Sequence, residues 1–208
     1  MTRGFFITFE GGEGVGKTTQ IQMLSDSLKA MGHDVVVTRE PGGTPQAEVL
    51  RDLLSDSTHG QEWTPEAEAM LLFAARAMHI RDVIKPAMEQ GKVIISDRYV
   101  DSTRAYQGYL QGLGHDFIQL LEDKIVGEFV PNLTLILDLP VDIAMARVQE
   151  RGAEDHYDNA SQSVHETLRQ AFLDIAEKEP TRCQVFNADQ SAEDLAAEIL
   201  SVTKERLS

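Results

Sequence analysis

The stretch Phe5-Phe6-Ile7-Thr8-Phe9-Glu10-Gly11-Gly12-Glu13-Gly14-Val15-Gly16-Lys17-Thr18 decides the fold. It opens on a short apolar, β-prone run, Phe5 to Phe9, which reads as a buried strand. Gly11 to Thr18 then match the spacing G-x-x-x-x-G-K-[ST]. The glycines let the backbone wrap an anion so that successive N–H groups point inward. A helix predicted to open near Lys17 adds its positive dipole end. Lys17 is then placed to reach the β- and γ-phosphates of a nucleotide, and Thr18 to put its hydroxyl on Mg²⁺. The phosphate site is expected at Gly11, Gly12, Glu13, Gly14, Val15, Gly16, Lys17, Thr18 and Thr19.

Outward from this loop the chain alternates strands with helices. The first helix carries Ile21, Leu24 and Leu28 on one face and stops at Gly32. Asp34–Thr38 reads as a second strand, broken by Pro41-Gly42-Gly43, and Ala47–Leu54 as a helix. Thr64 is an N-cap with Pro65 at the first helical position of a long helix running to about Gln90, with Pro86 able to kink it and Gly91 to stop it. Lys92–Ser96, Leu133–Leu137 and Gln184–Phe186 are the remaining strands. A helical stretch starts at Val141, a polar segment covers Gly152–Ser163, and a final helix starts near Ser191. Strands that are nearly continuous apolar runs, alternating with helices, imply an α/β fold with a five-stranded parallel sheet buried on both faces by helices. The 208 residues suit one such domain, with no internal repeat and no linker.

The bulk chemistry narrows the function. Nineteen basic residues against 34 acidic ones give a net charge of −15. That excludes a nucleic-acid binder with a basic face and electrostatic attachment to anionic membranes. It leaves room for a small anionic ligand where a few basic residues converge. Cys183 is the single cysteine, so no intrachain disulfide forms, and it reads as a reduced, partly buried thiol. With no leader-like start and no long apolar run, a cytoplasmic location is expected. His33, His59, His79, His115 and His165 lack ligand spacing and read as solvated or structural.

The loop alone does not separate a kinase from a GTPase or a motor ATPase. A guanine-reading Asn-Lys-x-Asp is absent, as is an Asp-x-x-Gly after a strand. Three polar clusters fit a kinase of small acceptors: Thr38-Arg39-Glu40-Pro41-Gly42-Gly43-Thr44, Ser96-Asp97-Arg98-Tyr99, and Arg147 to Arg151-Gly152. The first two follow strand ends, where parallel sheets bind ligands. Phosphoryl transfer needs positioning and charge neutralisation more than covalent help. Arginine suits that role because its fork grips phosphate oxygens in pairs and stays charged. Asp97 can hold Mg²⁺ directly or through water and orient Arg98. Phe73 and Arg76, three apart on a helix, share a face and can meet one planar base.

Beyond the loop, Arg39-Glu40-Pro41-Gly42-Gly43-Thr44, Leu72-Phe73-Ala74-Ala75-Arg76, Asp97-Arg98-Tyr99 and Ser102-Thr103-Arg104-Ala105-Tyr106-Gln107-Gly108 together resemble thymidylate kinase of the bacterial type over nearly the whole chain. The resemblance implies the three-layer P-loop NTPase fold, a single nucleoside-monophosphate-kinase domain over 1–208, and a lid at about 147–163. It implies dTMP and ATP as substrates, Mg²⁺ as cofactor and a homodimer. In this reading Phe73 stacks on thymine, Arg76 donates to a base carbonyl, and Thr103 helps read the base edge. Glu13 accepts from the 3′-hydroxyl, and Tyr106 crowds the 2′ side. Arg98 and one of Arg39 or Arg51 hold the acceptor phosphate, with Pro41 and Gln107 beside the substrate. Lys17, Asp97, Arg98 and Arg151 form the catalytic set, with Thr18 and Asp97 on the metal. The loop has no arginine of its own between Gly11 and Lys17, which points to the lid arginines Arg147 and Arg151, with Arg151 the candidate for transition-state charge. Gln149, Glu150 and His156 stand where more basic residues would be expected, so the division of labour between the two arginines stays open. Asn187-Ala188-Asp189-Gln190 sits where the family wraps adenine.

Overall fold

The computed structural model describes residues 4–55, 63–152 and 160–207, with the side chains of Ser55 and Arg151 outside the description. Its strands are β1 (Phe5–Glu10), β2 (Val35–Arg39), β3 (Val93–Asp97), β4 (Leu133–Asp138) and β5 (Cys183–Asn187). All pairings are parallel, in the order β2-β3-β1-β4-β5. The register pairs Phe9 with Asp97 and Asp97 with Arg39, so the carboxyl ends of three neighbouring strands finish level. That edge carries the glycine loop and two of the polar clusters.

The expectation of strands buried on both faces holds in the middle of the sheet and fails at its edges. β1, β3 and β4 are buried almost throughout, whereas Val37 of β2 and Val185 of β5 are exposed. An edge strand has only one neighbour, so its apolar run is only partly covered.

On one face α1 (Lys17–Ala30) packs with α9 (Ala192–Leu207) and Ala144 of α7 (Val141–Arg151) over Ile7, Phe9, Ile95, Leu135 and Leu137. On the other face Phe6, Ile94 and Tyr99 meet α3 (Pro65–His79), α4 (Lys85–Glu89) and α6 (Gly114–Ile125). There α8 (Gln162–Lys178) covers Ile136 through Leu168, Ala171 and Phe172. The helix expected at Ala47–Leu54 is α2, Pro45–Ser55.

The long helix expected from Pro65 to Gln90 begins as read, with Thr64 accepting from the Ala67 N–H. It is not uniform. Ile80–Ile84 is a π-helical segment whose Lys85 N–H bonds back to the Ile80 carbonyl. Pro86 explains the change. It has no N–H to give and its ring would strike the carbonyl four residues back, so a wider turn ahead of it relieves the clash. A second π-helical segment, Arg104–Leu110, follows the short helix α5 (Val100–Thr103) and places Tyr106 and Gln107. The sequence reading did not anticipate that segment, α6 or α8. Among the described residues no helix is long and apolar enough to cross a membrane.

Candidate active site

The glycine loop is held by contacts that only glycine permits. A Cβ on Gly14, whose φ is 72°, would lie 2.2 Å from the Ala144 carbonyl oxygen. One on Gly11, φ 134°, would lie 2.6 Å from that of Leu137. The loop can therefore seat against β4 and α7 only without side chains there. The buried Lys17 donates its Nζ to the Gly11 and Gly12 carbonyls at 3.1 and 2.7 Å. Burial, and then the Arg98 cation, lower its pKa, while Glu13, Asp97 and Glu10 pull the other way. Thr18 and Thr19 are exposed on the first turn of α1, which carries no acidic residue to offset its positive end.

Facing the loop is the Asp97-Arg98 turn. Arg98 pairs with Glu13 through Nη2 and donates Nη1 to the Gly11 carbonyl at 3.2 Å and to Ser102 Oγ at 3.1 Å. The Tyr106 hydroxyl donates to Glu13 Oε1 at 2.9 Å, and the Arg98 guanidinium lies 5.2 Å from the Tyr106 ring centre. Glu13, Arg98 and Tyr106, distant in sequence, thus form one cluster. Burial alone disfavours the Arg98 cation, but Glu13, then Tyr106, Asp97 and Glu10 outweigh it and hold its pKa above the usual arginine value. Asp97 has one oxygen, Oδ1, that is buried with no hydrogen-bond partner in the fold. An ionised carboxylate oxygen and the Thr18 hydroxyl are hard donors of the kind Mg²⁺ takes, alongside phosphate oxygens and water. The residues fit the metal.

The third group lies on α3. Arg76 is 2% exposed, donating Nε to Glu40 Oε2 at 2.7 Å and Nη2 to Thr103 Oγ1 at 3.0 Å. Its guanidinium sits 4.6 Å from the Phe73 ring centre. Nη1 is buried and has no partner in the fold. A buried guanidinium N–H without a partner is able to donate to an acceptor brought to it. Phe73, expected to stack on thymine, packs directly beside this fork. The ring is only 2% exposed, it belongs to the core with Phe6 and Tyr99, and the Arg76 guanidinium covers it.

The other expected residues are placed less centrally. Arg39 is half exposed and pairs with Glu48 at 2.9 Å, and Arg51 donates to the Pro41 carbonyl at 3.1 Å. The Glu40–Pro41 bond is cis. Gln107 is buried beside Tyr106 on the π-helical segment. Arg147 reaches the Ala188 carbonyl at 3.5 Å, joining α7 to the Asn187–Gln190 segment. Arg151 ends α7, but its side chain and residues 153–159 of the expected lid, His156 among them, lie outside the described residues.

Three residues escaped the sequence reading. Glu40, 5% exposed, takes Arg76 on one oxygen and His79 Nδ1 at 2.8 Å on the other, while His79 Nε2 meets Thr38 Oγ1 at 2.7 Å. His79 is therefore a structural histidine. Glu10, fully buried at the end of β1, accepts from the Tyr99 N–H at 2.7 Å and the Ser102 hydroxyl at 2.6 Å. Burial, then Asp101, push its carboxyl up to about 8 against Ser102, Arg98 and the Tyr99 N–H. A charged residue closing a buried strand was the available signal for Glu10. Asp101, joined to Arg182 and Arg104, ties α5 to β5 and α6 from behind the site.

This geometry agrees with what the chain is similar to. The thymidylate kinase family model matches residues 9–199. The chain is 48% identical over 207 residues to a thymidylate kinase of Caulobacter vibrioides, covering 100% of this chain and 99% of that one. It is 45% identical over 208 residues to that of Bradyrhizobium diazoefficiens, covering 99% and 91%. The crystal structure of thymidylate kinase from Ehrlichia chaffeensis superposes with a TM-score of 0.78 at 34% identity, covering 97% of this chain and 99% of that one. The glycine loop, the Asp97-Arg98 turn and the Arg76 fork thus sit on a fold shared with these relatives, and the chain belongs to the thymidylate kinase family.

Proposed function

We propose that the chain transfers the γ-phosphoryl group of ATP to the 5′-phosphate of dTMP, giving dTDP and ADP and feeding dTTP synthesis. An acceptor phosphate oxygen attacks the γ-phosphorus, a new P–O bond forms, and the bond to the β–γ bridging oxygen breaks with its electron pair leaving on ADP. No general base is needed, because the acceptor oxygen is already anionic at neutral pH. Mg²⁺, held by Thr18 and Asp97, supplies neutralisation of the ATP phosphate charge when bound.

The protein's own part is positioning. Lys17 moves from the loop carbonyls to the β- and γ-phosphates cradled by Gly11 to Thr19. Arg98 turns its fork to the acceptor phosphate, with Arg39 or Arg51 on the outer side, beside Pro41. Glu13 accepts from the 3′-hydroxyl, and Tyr106, with Gln107 behind it, crowds the 2′ position. Thymine enters against Arg76 and Thr103, with Phe73 as its stacking partner. A lid over about 147–163 closes on ATP, bringing Arg147 and Arg151 to the transferring group. Residues 1–208 act as one cytoplasmic domain. A homodimer forms through the flank of α3, where Met70 is 53% exposed.

The observation that carries the thymine reading is the unpaired Arg76 Nη1. Arginine donates and never accepts, so it favours a ring carbonyl over an exocyclic amine at the same place. A coupled ADP-release assay across the nucleoside monophosphates tests it. dTMP is expected to be the best acceptor, and a preference for AMP, GMP or CMP would assign the chain to another monophosphate.

A further inference from the structure

Arg98 has an uncommon backbone. Its φ is 65°, and it is the one described residue other than glycine with a positive φ. That conformation costs a side-chain-bearing residue about 1–3 kcal/mol and persists only where the surroundings enforce it. Here they do. The Arg98 N–H donates to the Phe9 carbonyl at 2.9 Å, its own carbonyl accepts from Ser96 Oγ at 2.8 Å, and the next N–H, that of Tyr99, is taken by Glu10 at 2.7 Å.

The side chain is held from the same point. Glu10 Oε2 accepts from Ser102 Oγ at 2.6 Å, and that oxygen accepts from Arg98 Nη1 at 3.1 Å. One buried carboxyl group therefore fixes both the backbone after Arg98 and the hydroxyl that grips its guanidinium. Glu10 is wholly buried at the end of β1, and both of its oxygens are engaged by groups that follow Arg98 in the chain. Its contacts lead to Arg98 rather than into the apolar core.

We propose that Glu10 and Ser102 are positioning residues that set the Arg98 fork at the angle needed to hold the acceptor phosphate in the transition state. The inference rests on Arg98 gripping that phosphate, as proposed above. Glutamine at position 10 keeps both contacts, its carbonyl oxygen taking the Tyr99 N–H and its amide meeting Ser102 Oγ with the donor role reversed. Alanine keeps neither contact.

The experiment is a double-mutant cycle read by steady-state kinetics with dTMP and ATP varied separately. Ser102→Ala is expected to lower kcat/KM for dTMP by about tenfold, the scale of one hydrogen bond to a charged group, with KM for ATP unchanged. In an Arg98→Ala background the same substitution is expected to cost less than about twofold, because its effect passes through Arg98. Glu10→Gln is expected to stay within about threefold of wild type, and Glu10→Ala to lose at least as much as Ser102→Ala. Equal losses from Ser102→Ala in both backgrounds, or matching rises in both KM values, would show a merely structural role and overturn the inference. An Arg98→Ala variant with unchanged dTMP kinetics would instead remove Arg98 from the acceptor site, and the inference with it. If Glu10→Ala does not fold, the Ser102 cycle decides alone.

Discussion

Arg76→Lys separates the base-reading account from simple core packing. The native guanidinium does three things at once: Nε serves Glu40 at 2.7 Å, Nη2 serves Thr103 at 3.0 Å, and Nη1 is left for a ligand. A lysine keeps the charge but has one compact head, which cannot reach Glu40 and a pyrimidine carbonyl together. The variant forfeits one hydrogen bond from a charged donor, about 1.5–3 kcal/mol, or about 10- to 150-fold in kcat/KM for dTMP. The base is held alike in ground and transition states, so the loss should fall on KM for dTMP and leave kcat within about threefold. KM for ATP should stay within about twofold, since the ATP loop makes no contact with this fork. Because the introduced ammonium would still neutralise Glu40, stability should drop by less than the about 3–5 kcal/mol of a broken buried pair. A coupled ADP-release assay and a thermal melt read these quantities. A KM for dTMP within about threefold of wild type, or an equal rise in both KM values, would show that Arg76 does not read the base.

Other substitutions test the remaining parts. Asp97→Asn should raise the Mg²⁺ concentration for half-maximal rate by about tenfold or more, as a neutral amide replaces an anionic ligand, and an unshifted magnesium titration would take Asp97 off the metal. Arg151→Ala should cut kcat by about 10³-fold with dTMP binding nearly unchanged, by analogy with arginine fingers, and an unaltered kcat would remove it from the catalytic set. Burial raises the Cys183 thiol to about 12 despite Arg182. Its reaction with a thiol reagent near pH 8 should therefore be about a thousandfold slower in the fold than after unfolding, and comparable rates would show the thiol to be open. Glu10 has a folded pKa of about 8 against an ordinary 4.5, so the fold prefers its neutral form. Its favourable contribution is complete below the lower value and is lost as pH rises through the higher one. The melting temperature of Glu10→Gln should thus gain on wild type between about pH 5 and pH 9, and a constant difference would contradict the assignment.

How much of this was readable in advance follows from how local each signal is. The glycine loop and the central strands are spelled by neighbours in sequence, as in the apolar run Phe5 to Phe9 followed directly by the spaced glycines of Gly11 to Thr18. The π-helical turns were not readable, since Ile80–Ile84 and Arg104–Leu110 carry ordinary helical residues and their widening answers to Pro86 and to tertiary packing. Nor could residue type tell that the Arg76 guanidinium lies over the Phe73 ring, because exposure depends on what packs across from a helix face. Glu40 and Glu10 were missed for a related reason. Each acts on an arginine far along the chain, at Arg76 and through Ser102 at Arg98, and no local pattern joins those positions.

A crystal structure of the complex with dTMP would show directly whether Arg76 reads the base. A pyrimidine carbonyl oxygen is expected within hydrogen-bonding distance of Arg76 Nη1, the 3′-hydroxyl on Glu13, and the 5′-phosphate on Arg98. A nucleotide whose base lies elsewhere, with Arg76 still held by Glu40 and Thr103 and its Nη1 untouched, would contradict that expectation.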